Sequence, residues 1–176
     1  LAFAKSLTYE EARMNMIDIH YKPDDNNLKV PSYNRRWHFT SDRLLNNPHT
    51  VDITPNLVDS TKIEKVNIDL NMKENDELFL DLNWTSNETI EYIPSNNVDI
   101  TLLSSLPSIC GVAFVKKDYF KLGIVIAHEG YLINRTNFIH ASSEFKKTVD
   151  VNFINYLRDG GKYRFEGVMF FEIKSI

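Results

Sequence analysis

Apolar residues recur along this chain in two periods. Tyr9, Ala12, Met16 and Ile19 share a helical stripe, and Thr8-Tyr9-Glu10-Glu11 has the spacing of a capping box, so a helix is expected over 9–19. Residues 1–5 read as the last turn of an earlier helix whose start is missing. The stretch 23–27 is a loop by composition, and 43–47 a short helix stopping before Pro48. The period then shortens. Val66, Ile68, Leu70 and Met72 alternate with Asn67, Asp69 and Asn71, the mark of a half-buried strand. The stretch 76–83 is ambiguous between strand and helix, a further segment ends at Tyr92-Ile93-Pro94, and 98–103 leads into a loop at Pro107. Strands are expected over 109–116 and 122–127, and 130–133 and 138–141 flank the turn Asn134-Arg135-Thr136-Asn137. A late helix over 150–158 would be capped by Asp150 and stopped by Gly160-Gly161, before a last strand over 165–173. Helices first, then an antiparallel sheet with one late helix, is an α+β order.

Composition narrows the class. The 176 residues are 43% hydrophobic and 12% aromatic, enough for one packed domain. A net charge of −4 offers no basic field to a nucleic-acid backbone. No apolar run approaches the ~20 residues that cross a bilayer as a helix. Cys110 is the only cysteine, so no internal disulfide is available. The sequons at Asn83, Asn87 and Asn134 are no more than this Asn, Ser and Thr content produces by chance.

Candidate chemistry centres on histidine. His128 and His140 fall on adjacent expected strands of one hairpin. Such a pair serves as base and orienter of a nucleophile, or as two ligands of a metal. Whether they share a face depends on the parity of the connecting loop, which a bulge at Gly130 would change. Glu129 should point away from His128 on a regular strand. Cys110, at the front of an apolar strand, reads more naturally as a core residue than as a nucleophile. Arg35-Arg36-Trp37-His38-Phe39 is either a carboxylate- or sugar-binding groove or an amphipathic surface segment.

Several short motifs, in order, resemble the N-acetylmuramoyl-L-alanine amidase-like family, a branch of the papain-related, NlpC-type cell-wall cysteine hydrolases. They are the segment from Tyr33 through Arg36 and His38 to Asp42, then Tyr92-Ile93-Pro94, His128-Glu129-Gly130 and Phe138-Ile139-His140-Ala141-Ser142, then a helix over 153–157. Lys121-Leu122-Gly123 is a weaker match to the family's His-X-Gly position, and its choice would remove the base. The resemblance implies a papain-like fold with N-terminal helices packed on an antiparallel sheet, spanning 1–176 as one amidase domain. It implies His128 as general base, His140 as its orienter, and Tyr33, Arg36, His38, Asp42, Tyr92 and Ser142 around the substrate. It also implies a nucleophilic cysteine shortly before Leu1, with its thiolate stabilised by a helix N-terminus. The expected substrate is peptidoglycan or a muropeptide, cut at the muramyl–L-alanine amide without metal or cofactor, in the periplasm or outside the cell. Two alternatives stand beside this. One is a non-catalytic relative that binds wall fragments or a protein. The other is an unrelated hydrolase using Cys110.

Overall fold

The computed structural model describes residues 6–174, so the helical turn expected at 1–5 lies outside the described residues. Helix α1 (Tyr9–His20) begins at the expected box: the Thr8 side chain accepts from the Glu11 N–H, and the Glu11 carboxylate accepts from Leu7 and Thr8. Only Ala12 of this helix is fully buried. Polar contacts tether its C-terminal turn, where Asp18 meets Lys29 and His49, and Asn47 Nδ2 donates to the Ile19 carbonyl. Helix α2 (Thr40–Asn46) starts before the expected 43 and stops ahead of Pro48.

The remaining elements are β1 (Thr50–Asp52), β2 (Glu64–Leu70), β3 (Ser86–Pro94), α3 (Ile100–Ser105), β4 (Ile109–Val115), β5 (Ile126–Ile133), β6 (Asn137–Ser142), β7 (Lys147–Asn152), α4 (Phe153–Leu157), β8 (Arg158–Asp159), β9 (Lys162–Tyr163) and β10 (Gly167–Ile173). Strands pair in the order β2-β3-β10-β4-β5-β6-β7, and every pairing is antiparallel. Strand β1 pairs with the C-terminal end of β10, and β3 with its N-terminal end. The fold is α+β, with one large antiparallel sheet and few helices.

Three stretches differ from expectation for local reasons. Residues 117–122 wind into a 3-10 turn that closes on Gly123 at φ 70°, where a Cβ would meet the Met72 backbone nitrogen and oxygen at 2.6 and 2.5 Å. Strand β5 therefore starts only at Ile126 and runs on to Ile133 as one piece. The helix expected over 150–158 is half strand: residues 147–152 pair one-to-one with β6. The helix cap is Asn152, whose side chain accepts from the Asn155 N–H. In the ambiguous stretch 76–83 a single bridge, Met72 to Leu78, replaces regular structure.

Side chains alternate across the sheet into two cores. Val112, Phe114, Leu132, Phe138, Val168 and Phe170 face α3 and α4, whose Leu102, Leu103, Phe153 and Leu157 complete the first core. Ala113, Val115, Met169 and Phe171 face the other way, with Phe39, Leu44, Leu70 and Leu82 in the second.

Candidate active site

The β5–β6 hairpin decides what the two histidines can do. Leu132 lies opposite Phe138 and Ile133 opposite Asn137, around a turn in which Asn134 and Arg135 both take positive φ. That register puts His128 and His140 on one face, the face of the first core. The irregularity of β5 sits at Ala127, where pairing with β4 jumps from Phe114–His128 to Val115–Ile126. It does not fall at Gly130. Gly130 has another duty: a Cβ there would come within 2.6 Å of the Phe138 ring, 2.5 Å of the Ile139 oxygen and 2.9 Å of the His140 Cβ. Gly130→Ala is expected to destabilise the fold by about 1–3 kcal/mol through overpacking. Urea unfolding measures this, and a variant as stable as the parent would show that the hairpin yields.

His128 Nε2 and His140 Nδ1 are 2.8 Å apart. The rings meet edge to face at 4.7 Å, inside an aromatic wall of Phe114, Phe138 and Tyr156. His140 is buried and His128 half-buried. Both line a cavity of about 360 Å³ with Ser142, Val149, Asn155 and Arg164. Glu129 points away, pairing with Arg43 of α2. Among the described residues, no three His, Cys, Asp or Glu side chains are arranged to hold a metal ion.

Burial holds the His128 imidazole below its ordinary 6.5, and the charges of His140 and Arg164 lower it further. Burial also lowers His140, with a hydrogen bond to the Ala141 backbone opposing and Arg164 assisting. The unfolded chain thus binds more protons at this pair as pH falls through 6.5, so stability drops in that direction. Unfolding midpoints at stepped pH are expected to decline below 6.5, and less steeply in a His140→Gln variant. Parallel profiles for the two proteins would contradict this.

The other expected site residues are distributed unevenly. Ser142 stands beside the pair, its hydroxyl accepting from the Phe145 N–H. Asp42 is buried in α2, where it meets Lys22 at 2.5 Å and accepts from Asn46. Tyr92 is buried in the second core and its hydroxyl donates to Glu64 at 2.7 Å, an arrangement that raises its pKa. His38 contacts the Tyr33 carbonyl at 2.6 Å, and Arg36 bridges to Tyr21. Their segment runs past Trp84, which donates to Asn34, and leads into Phe39 of the second core. Tyr33, Arg36, His38, Asp42 and Tyr92 are therefore not brought together with the histidine pair.

Cys110 is also apart. It lies in the first core, and burial with the nearby Glu172 charge pushes its thiol up to about 12. It precedes Phe114, the residue opposite His128, by four positions on β4, about 13 Å along a strand. That is outside hydrogen-bond reach, which removes Cys110 as a nucleophile partnered by His128. Sequence reasoning passed over Arg164, which no local pattern marks because it follows a short turn of two glycines at positive φ.

Residues 1–161 match the family model described as AmiA-like, N-acetylmuramoyl-L-alanine amidase-like. A crystal structure of a Legionella pneumophila protein superposes with a TM-score of 0.73 at 21% identity, covering 99% of this chain and 72% of that one. An N-acetylmuramoyl-L-alanine amidase from Bacteroides uniformis gives 0.66 at 19% identity, covering 98% and 78%. A Bacteroides fragilis protein provisionally named a xylanase also gives 0.66, at 17% identity, with 98% and 82% covered. No curated protein shows significant sequence similarity to the chain.

Proposed function

Since the chain belongs to the N-acetylmuramoyl-L-alanine amidase-like family, we propose that it is a peptidoglycan hydrolase in which His128 and His140 serve a cysteine nucleophile. The substrate bond is the amide between the muramyl lactyl group and L-alanine. The fold is read as NlpC-type and papain-like, with 1–176 forming one amidase domain, and the protein as working in the cell envelope or outside the cell.

One observation carries this reading. The histidine pair is joined through Nε2 of His128 and Nδ1 of His140, which leaves Nδ1 of His128 for another group. For Nδ1 to act as a base it must be bare, so Nε2 bears the hydrogen and donates to a bare Nδ1 on His140. His140 therefore fixes the tautomer and ring orientation of His128, and it accepts the hydrogen bond of the imidazolium once His128 is protonated. His128 takes the thiol proton as sulfur attacks the amide carbon, then delivers it to the departing L-alanine nitrogen. Water, deprotonated by the same imidazole, releases the muramyl acid. The nucleophile is assigned to sequence preceding Leu1. Ser142 is assigned to the substrate cleft beside the pair.

The test is muropeptide digestion by the full-length protein, followed by mass spectrometry. The expected products are a peptide with a free L-alanine amino terminus and the intact sugar acid, with iodoacetamide blocking their appearance. Cleavage at another bond overturns the substrate assignment. Binding without hydrolysis marks the protein as a non-catalytic relative.

A further inference from the structure

Among the described residues, Arg164 is the one cation that lines both the histidine cavity and the neighbouring cleft of about 540 Å³ formed by Glu64, Ser95, Lys116, Lys117 and Asp118. Its guanidinium lies 4.5 Å from the Tyr156 ring and 5.6 Å from that of Phe165. Tyr156 in turn packs against His140 at 4.7 Å and His128 at 5.9 Å. The guanidinium thus lies over the Tyr156 ring, which separates it from the imidazoles. It makes no ion pair among the described residues, and its one side-chain hydrogen bond, to the Tyr156 carbonyl, is 3.5 Å long. Acidic groups are near but do not pair with it, and Glu64 is occupied by Tyr92.

A guanidinium that makes no ion pair among the described residues and lines both cavities is suited to a carboxylate, which it grips with two parallel hydrogen bonds. Stacking on Tyr156 pre-orients it, so little side-chain freedom is lost on binding. Lys116 and Lys117 line the same cleft, together with Glu64, Asp118 and Glu166. The cation also acts on the imidazoles, whose pKa values it lowers.

We propose that Arg164, which lines both the histidine cavity and the adjoining cleft, is the specificity residue that takes a free carboxylate of the substrate peptide. The proposal rests on the amidase reading for the identity of the peptide, but not for the charge it recognises. A lysine cannot reproduce the bidentate grip, so Arg164→Lys restores charge without geometry.

The test uses the full-length protein and two matched muropeptides, one with the free carboxylate and one with it converted to the primary amide. The quantity read is the ratio of kcat/KM for acid over amide, with equilibrium binding of both fragments measured in parallel. Arg164→Gln is expected to reduce the ratio about 10–100-fold, mainly through KM, with Arg164→Lys in between. An equal loss on both substrates would show that Arg164 only supports Tyr156 and the histidines, and would overturn the proposal. An unchanged ratio would do the same. If nothing is hydrolysed yet binding discriminates acid from amide and loses this in Arg164→Gln, the amidase reading fails and the carboxylate site stands. If the unmodified protein does not prefer the acid, the carboxylate site fails.

Discussion

His128→Ala in the full-length protein is expected to lower kcat for muropeptide hydrolysis at least ~10³-fold, because in the proposed mechanism both proton transfers pass through this imidazole. KM should change little, since the proposed anchoring of the peptide falls to Arg164. His140→Ala should be milder: the base is kept but its tautomer is no longer fixed by the 2.8 Å contact. Unfolding of both variants separates catalysis from folding. His128 is half-buried, so a His128→Ala protein that keeps its stability but hydrolyses within ten-fold of the parent would remove it as the base.

Phe114→Ala should have the largest effect on stability, a loss of about 3–5 kcal/mol. The ring is fully buried and touches Phe138, Phe153, Tyr156 and Phe165 at centroid distances between 4.5 and 6.1 Å. No single neighbour can relax to fill the space, because β4, β6, α4 and the segment before β10 would all have to move. It also lies opposite His128 across the β4–β5 pairing, so the base loses part of its support. Phe114→Leu, which retains most of the volume, should cost roughly half as much. Urea denaturation of the three proteins measures the series, and equal midpoints for alanine and leucine would show that the pocket collapses freely.

What could be read in advance follows from how local each signal is. The α1 start was legible because a capping box is written in four consecutive residues and is satisfied by them alone. The hairpin at Asn134 was legible for the same reason. Asp150 misled because an acidic residue before an apolar helical spacing looks like a cap. Its stretch is also a strand alternation, with Val149 and Val151 on one side, and pairing with β6 decided the matter. Leu122 to Ala127 misled because a glycine at positive φ breaks the run. The histidine pair was found as two residues, but not as a contact, since face depends on a register set across the hairpin. Asp42 and Tyr92 illustrate the opposite limit. Motif order says nothing about which side of a sheet a side chain occupies: Tyr92 belongs to the second core and Asp42 is buried against Lys22, and neither lines the histidine cavity. Arg164 had no signature, because its significance is purely spatial.

The extra residue at Ala127 works as a change of phase. Ile126 and His128 are two positions apart and on an uninterrupted strand would project to the same side. Here Ile126 packs on the second core while His128 joins the first. One inserted residue lets a single strand serve hydrophobic burial on one side and present the His128 imidazole to its cavity on the other. A deletion at this point would thus be no minor trimming. It would force a choice between keeping Ile126 out of water and keeping the imidazole in its cavity, so the length of this strand is itself part of the proposed chemistry.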